Sequence, residues 1–161
     1  MTLSIGDRIP NATLTTMTES GPQPVESGEA LGKGTVVLFA VPGAFTPTCS
    51  DHHLPGFVLR ADELLAKGVD RIACIAVNDS FVLDAWGKVR GVGDKILMLG
   101  DGNGQFTSAA GMELDGSGFG LGTRSKRYAA VLEDGVVKEL FVEDDGVGVA
   151  VSTADAVLAK L

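Results

Sequence analysis

The sequence predicts an α/β fold in which a central mixed β-sheet is flanked by helices. Two observations carry that expectation. Apolar, β-branched runs alternate with helical patterns through the first hundred residues, and two later apolar runs are joined by Glu133-Asp134-Gly135. Alternating strand and helix patterns build parallel sheet, whereas Asp-Gly between apolar runs is the strongest short hairpin signal. A sheet containing both is mixed.

The elements follow in order. Ala12 to Met17 reads as an edge strand, and Glu19 to Gly34, rich in Gly, Pro and Ser, as connection. Thr35 to Val41 is continuously apolar, as a strand buried on both faces must be. Pro42-Gly43 ends it. A helix is expected from Pro47 to about Lys67, with Thr46 as its N-cap, Pro47 at its first position and Gly68 at its C-terminus. Pro55 inside that segment should kink it or divide it in two. Ile72 to Val77 is a second buried strand. Asn78-Asp79-Ser80 caps a helix running from Phe81 to about Arg90, Ile96 to Leu99 is a third strand, and Gly104 to Ala110 a short helix. The Gly-rich stretch Met112 to Thr123 reads as a loop. Tyr128 to Leu132 and Val136 to Val142 form the hairpin, and Ser152 or Thr153 caps a terminal helix.

Composition narrows the function. The chain has 161 residues, 45% hydrophobic and 21% charged, which fits one globular domain over residues 1–161. A net charge of −8 argues against nucleic acid or an anionic membrane as partner. No apolar run reaches the roughly 18 residues of a membrane helix, and Met1 to Pro10 shows no secretory pattern. The expectation is a soluble, cytoplasmic protein. The only two cysteines, Cys49 and Cys74, lack CxxC spacing, and His52 and His53 are the only histidines. Neither a disulfide framework nor a zinc site is expected. Gly102-Asn-Gly104 lacks the strand–GxGxxG–helix context of a dinucleotide site, so no cofactor and no metal are expected.

One cysteine stands out. Val41 ends the first buried strand, and Pro42-Gly-Ala-Phe-Thr-Pro-Thr-Cys49 follows, so Cys49 falls in the first turn of the next helix. There the unpaired backbone N–H groups and the helix dipole favour a thiolate, the nucleophilic form, over a thiol. Two prolines, a glycine and two threonines in one turn are a costly way to make a plain packing site. Thr46 lies one helical turn before Cys49, within reach of the sulfur or of a bound oxygen substrate.

The spacing Pro42-x-x-x-Thr46-x-x-Cys49 resembles the active-site signature of the peroxiredoxins. Val41 to Ser50 with His53-Leu-Pro-Gly-Phe57, Val77 to Trp86, and Gly122-Thr-Arg-Ser-Lys-Arg-Tyr-Ala129 are similar to the type 5, plant type II-like subgroup, in the same order along the chain. The resemblance implies a thioredoxin-like fold and thiol-dependent reduction of hydrogen peroxide and organic hydroperoxides. It makes Cys49 the peroxidatic cysteine, Thr46 the hydroxyl that orients the peroxide, and Pro42 and Gly43 the substrate-side turn, with Pro42 shielding the thiolate. Arg127, immediately before Tyr128, matches the family's arginine, and Arg124 is the competing candidate. A fixed cation beside the sulfur agrees with that assignment, since arginine stays charged.

Cys49 would become a sulfenic acid that a second thiol must reduce. Cys74 sits mid-strand between Ala73 and Ile75, where core packing is the plainer role, yet plant type II relatives carry a cysteine there that would resolve Cys49. Bridging the two requires Cα atoms within about 7 Å. Other type 5 relatives place a resolving cysteine near the C-terminus, but Gly148 to Ser152 contains none. An external thiol, glutathione with glutaredoxin or thioredoxin, is therefore the expected reductant. Phe45, Phe81, Trp86 and Phe119 read first as core residues; the resemblance also implies a homodimer, in which Phe45, Phe81 and Phe119 would be partly interfacial. His53 reads as a structural or hydrogen-bonding residue and His52 as exposed. The alternative on the same fold is a peroxide sensor, oxidised once without steady turnover.

Overall fold

The computed structural model describes residues 2–161, leaving outside them only Met1 of the stretch read for a leader. β1 (Thr13–Thr18) and β2 (Gly21–Glu26) form a hairpin, and the single turn α1 (Ser27–Ala30) follows. Two expectations are corrected here. The segment read as connection supplies β2 and α1, and β2, not β1, is the edge strand. Pro22 and Pro24 disguise β2, because proline cannot donate to a ladder; an outermost strand tolerates them on its unpaired side.

The three apolar runs become β3 (Thr35–Val41), β4 (Arg71–Ala76) and β5 (Ile96–Gly100), mutually parallel and joined by α2 (Leu54–Ala66) and α3 (Ser80–Arg90). Asp79 caps α3 by accepting the Val82 N–H at 2.8 Å, and Gly91, in the left-handed region at φ 71°, ends it. After α4 (Gln105–Ala109), the Gly-rich stretch expected as a loop closes at its ends into a two-stranded sheet, β6 (Glu113–Asp115) with β7 (Thr123–Ser125). Its strands of three residues are too short for periodicity to show.

The hairpin β8 (Tyr128–Glu133) and β9 (Val136–Val142) turns at Asp134 and Gly135, with φ 49° and 82°. Positive φ at both central residues is the requirement of a type I′ turn, which Asp-Gly meets. Thr153 caps α5 (Ala154–Leu158) by accepting the Ala156 N–H at 3.1 Å. Ser152, the other cap candidate, is used elsewhere.

The main sheet has seven strands in the order β2-β1-β5-β4-β3-β8-β9, a mixed sheet flanked by helices as the sequence predicts. Alternate residues of β3 serve opposite faces. Val37, Phe39 and Val41 pack with Leu54, Phe57, Trp86 and Val157 from α2, α3 and α5. Val36, Leu38 and Ala40 pack on the other face with Leu3, Leu31, Phe106 and Tyr128. Phe39 stacks on Phe57 with ring centroids 4.0 Å apart, fixing α2 against β3. Truncating a buried Phe of this kind costs about 3–5 kcal/mol. Because Ala40 pairs antiparallel with Tyr128, the end of β3 meets the start of β8, so Arg127 sits beside the turn that leads to Cys49.

Candidate active site

The turn after β3 is pinned from several sides. The Ala44 N–H donates to Asn78 Oδ1 at 2.9 Å, and Phe45 adopts φ 64°, a strained conformation for an aromatic residue. A Cβ on Gly43 would lie 2.9 Å from Arg124 Nη1 and 3.3 Å from Thr46 Cγ2, so any larger residue displaces its neighbours. Thr46 does not cap the helix as expected. Its hydroxyl turns back and donates to Gly43 O at 2.6 Å, leaving the oxygen lone pairs to accept from another donor.

The helix that carries Cys49 opens as a π-helical turn, Cys49–His53, in which the Leu54 N–H bonds back to Cys49 O. Pro55 accounts for the division that the sequence predicts. It has no N–H to give and its ring would crowd the carbonyl four residues back, so the wider turn precedes it. Cys49 and His53, both buried, face the same partner across this turn.

That partner is Arg127. Its Nη2 donates to Cys49 Sγ at 3.0 Å, its Nη1 lies 2.9 Å from His53 Nδ1, and its Nε donates to Val147 O at 3.1 Å. The side chain is 1% exposed, so these bonds replace nearly all of its hydration. Guanidinium has no acceptor, which obliges His53 Nδ1 to accept from it. The His53 proton must then sit on Nε2, which donates to Ser152 O at 2.8 Å. Burial, and next the Arg127 cation, lower the His53 pKa to about 4, against the opposing pull of the Ser152 carbonyl and Glu143. His53 is thus a neutral imidazole at ordinary pH.

Behind it stands a residue that no motif marks. Glu143, buried just beyond β9, accepts from the N–H groups of Ala150, Val151 and Ser152 at 2.8–3.1 Å and from Ser152 Oγ at 2.6 Å. Burial pushes its carboxyl up, but the Ser152 hydroxyl and the three N–H groups outweigh that and hold it below the usual carboxylate range. Its only sequence signal was an acidic residue closing an apolar strand.

The other candidates are placed as follows. Arg124, on β7, donates to Leu121 O at 2.9 Å and to Pro42 O at 3.5 Å, against the Pro42-Gly43 turn and not on the sulfur. Cys74 lies mid-strand in β4 between Phe39 and Met98, fully buried in the same core cluster as Cys49. Burial pushes its thiol well above the ordinary range, and charge on Cys49 adds to that. Cys49 is itself fully buried in that cluster, while in the turn before it Phe45 is exposed and Thr46 half-buried.

The arrangement is a cysteine sulfur beside a buried, hydrogen-bonded cation, with a hydroxyl on the adjoining turn. Such a site stabilises negative charge both on the sulfur and on an oxygen leaving it.

Comparison with known proteins shows what the whole chain is similar to. The family model described as Redoxin matches residues 4–158. The Arabidopsis thaliana protein Peroxiredoxin-2E, chloroplastic, is 51% identical over 148 residues, covering 89% of this chain and 63% of the relative. The chain thus spans less than two thirds of that relative's length. Peroxiredoxin-2B of the same plant is 44% identical over 160 residues, covering 99% of this chain and 98% of the relative. The crystal structure of reduced Prx3 in complex with hydrogen peroxide from Vibrio vulnificus superposes with a TM-score of 0.93 at 49% identity, over 98% of both chains.

Proposed function

The chain belongs to the redoxin family and is a peroxiredoxin with a thioredoxin-like fold, and from that premise we propose that Cys49 is the peroxidatic cysteine of a thiol-dependent peroxidase. The observation that carries this reading is the Arg127 Nη2 donor 3.0 Å from Cys49 Sγ in a buried site. The Cys49 thiolate attacks the nearer oxygen of hydrogen peroxide or an organic hydroperoxide. An S–O bond forms, the O–O bond breaks, and two electrons pass from sulfur to the peroxide. Water or an alcohol departs with the peroxide proton, and Cys49 is left as a sulfenate. Arg127 follows the charge from sulfur to the departing oxygen, the Thr46 oxygen accepts from the peroxide O–H, and Pro42 and Gly43 form the wall of the site.

The sulfenate takes up a proton from water to give the sulfenic acid, and an external thiol then attacks its sulfur, displacing water to form a mixed disulfide that a further thiol releases. Glutathione with glutaredoxin, or thioredoxin, fits this role. Cys74 supports an external reductant because its thiol is held protonated inside the sheet and cannot attack without leaving it. Exposed Phe45, Phe81 and Phe119 fit a homodimer face. The two cysteines, unpaired in the fold, suit a reducing compartment such as the cytoplasm, and the Redoxin match over residues 4–158 suits one domain spanning residues 1–161. The test is peroxide consumption with each reductant beside the Cys49→Ser variant. Consumption beyond one equivalent that vanishes in the variant supports the reading; wild-type protein that stops after one equivalent with every reductant overturns it.

A further inference from the structure

An arginine donor acts on a sulfur only while it is aimed at it, and Arg127 reaches Cys49 from a long, rotatable side chain. Three contacts hold it. The backbone N–H donates to Gly146 O at 2.8 Å, Nε donates to Val147 O, and Nη1 donates to His53. Gly146 and Val147 belong to the segment from Glu143 to Ser152, which lies across Arg127 like a strap. Glu143 ties the far end of that strap to its beginning by accepting from Ala150, Val151 and Ser152. Ser152 O in turn accepts the His53 Nε2–H. The contacts therefore close a ring, from Arg127 along the strap to Ser152 and back through the imidazole to Arg127.

From this ring we infer that His53 is a positioning residue for peroxide reduction, its Nδ1 fixing the Arg127 guanidinium so that Nη2 faces Cys49 Sγ, with Glu143 anchoring the strap that fixes His53. The inference rests on Cys49 being the peroxidatic residue. Imidazole suits the place because it carries an acceptor and a donor on opposite edges of a flat apolar body. The ring sits edge-on to Phe39 and Phe57, at 5.3 and 5.5 Å between centroids, which fixes its plane. Leucine would fill the space but strand one N–H of a buried cation and the Ser152 carbonyl. Glutamine offers a carbonyl to Arg127 and an amide N–H to Ser152. Of the five guanidinium N–H groups, three are engaged by Val147, His53 and Cys49. One on each η-nitrogen is left for the oxygens of a peroxide.

The experiment is single-turnover oxidation of reduced protein by hydrogen peroxide, followed by stopped flow with no reductant present, in wild type, His53→Leu and His53→Gln. Misaiming the donor should slow oxidation about 10- to 100-fold in His53→Leu. The reaction of the sulfenic acid with external thiol should stay unchanged. His53→Gln should recover to within about threefold of wild type. A folded His53→Leu protein that oxidises at the wild-type rate overturns the inference, as does a folded His53→Gln protein as slow as His53→Leu. Should His53→Leu fail to fold, nitrogen NMR of the labelled wild-type imidazole decides: a proton on Nε2 is expected, and a proton on Nδ1 overturns the inference. Failure of wild type itself to consume peroxide would instead remove the peroxidatic role of Cys49, while the tautomer still reports on the His53–Arg127 contact.

Discussion

Trp86 Nε1 donates to Ser50 Oγ at 2.9 Å, both groups buried, and so ties α3 to the residue that follows Cys49. The sole tryptophan of the chain thereby becomes a fixture of the π-helical turn. Ser50→Ala removes the acceptor and leaves a buried indole N–H unpaired, which costs about 1–3 kcal/mol. The expected result is a melting temperature lower by roughly 2–4 °C for each kcal/mol lost, with altered tryptophan emission. Unchanged stability and unchanged emission would show that the bond contributes nothing.

Arg127 and Arg124 are separable by mutation. Arg127→Ala should slow Cys49 oxidation by about 10²–10³-fold, the usual loss when one preorganised donor leaves a reacting centre. Arg127→Lys should recover little, because an ammonium cannot reproduce the fork that meets Cys49, His53 and Val147 together. Arg124→Ala should have the smaller effect on single-turnover oxidation, since its contacts are with Leu121 O and Pro42 O. The reverse ranking would transfer the catalytic role to Arg124.

These sites were unequally legible in the sequence. Cys49, Thr46 and Arg127 stand in short strings whose spacing survives without a structure, and the buried strands announce themselves as unbroken apolar runs. β2 was hidden because its prolines argue against a strand unless its place at the sheet edge is already known. Glu143 and Ser152 were hidden for a different reason. Their chemistry comes from a loop folding back over Arg127, 16 and 25 residues beyond it in sequence, and no local pattern encodes that return. Ser152 even carried a plausible competing role as a helix cap, which Thr153 takes instead.

Cys74→Ser should leave steady-state turnover with an external thiol largely intact, because burial within β4 holds the Cys74 thiol protonated. Intact mass after one equivalent of peroxide checks the same point: a gain of one oxygen on wild type is expected. A loss of two hydrogens, absent from Cys74→Ser, would make Cys74 the resolving cysteine.

Acid should weaken the fold through His53. Its pKa is about 4 in the folded protein, against roughly 6.5 for an unperturbed histidine. Between those values the unfolded chain binds more protons, so stability is full above about pH 6.5 and falls as pH drops towards 4. The shift corresponds to roughly 3 kcal/mol. The groups in contact with the imidazole point the same way: Arg127 opposes a charge on Nδ1, and Ser152 O accepts only from Nε2. Glu143, also held below its usual range, adds a loss of the same sign as its carboxylate protonates. The Glu143 loss falls below the ordinary carboxylate range and so largely under the His53 window, and His53→Gln, which lacks the titrating ring but keeps Glu143, isolates the His53 part. Urea unfolding between pH 7 and pH 4 should show the steep loss in wild type and a much shallower one in His53→Gln. Equal slopes in the two proteins would leave His53 without a part in the acid sensitivity.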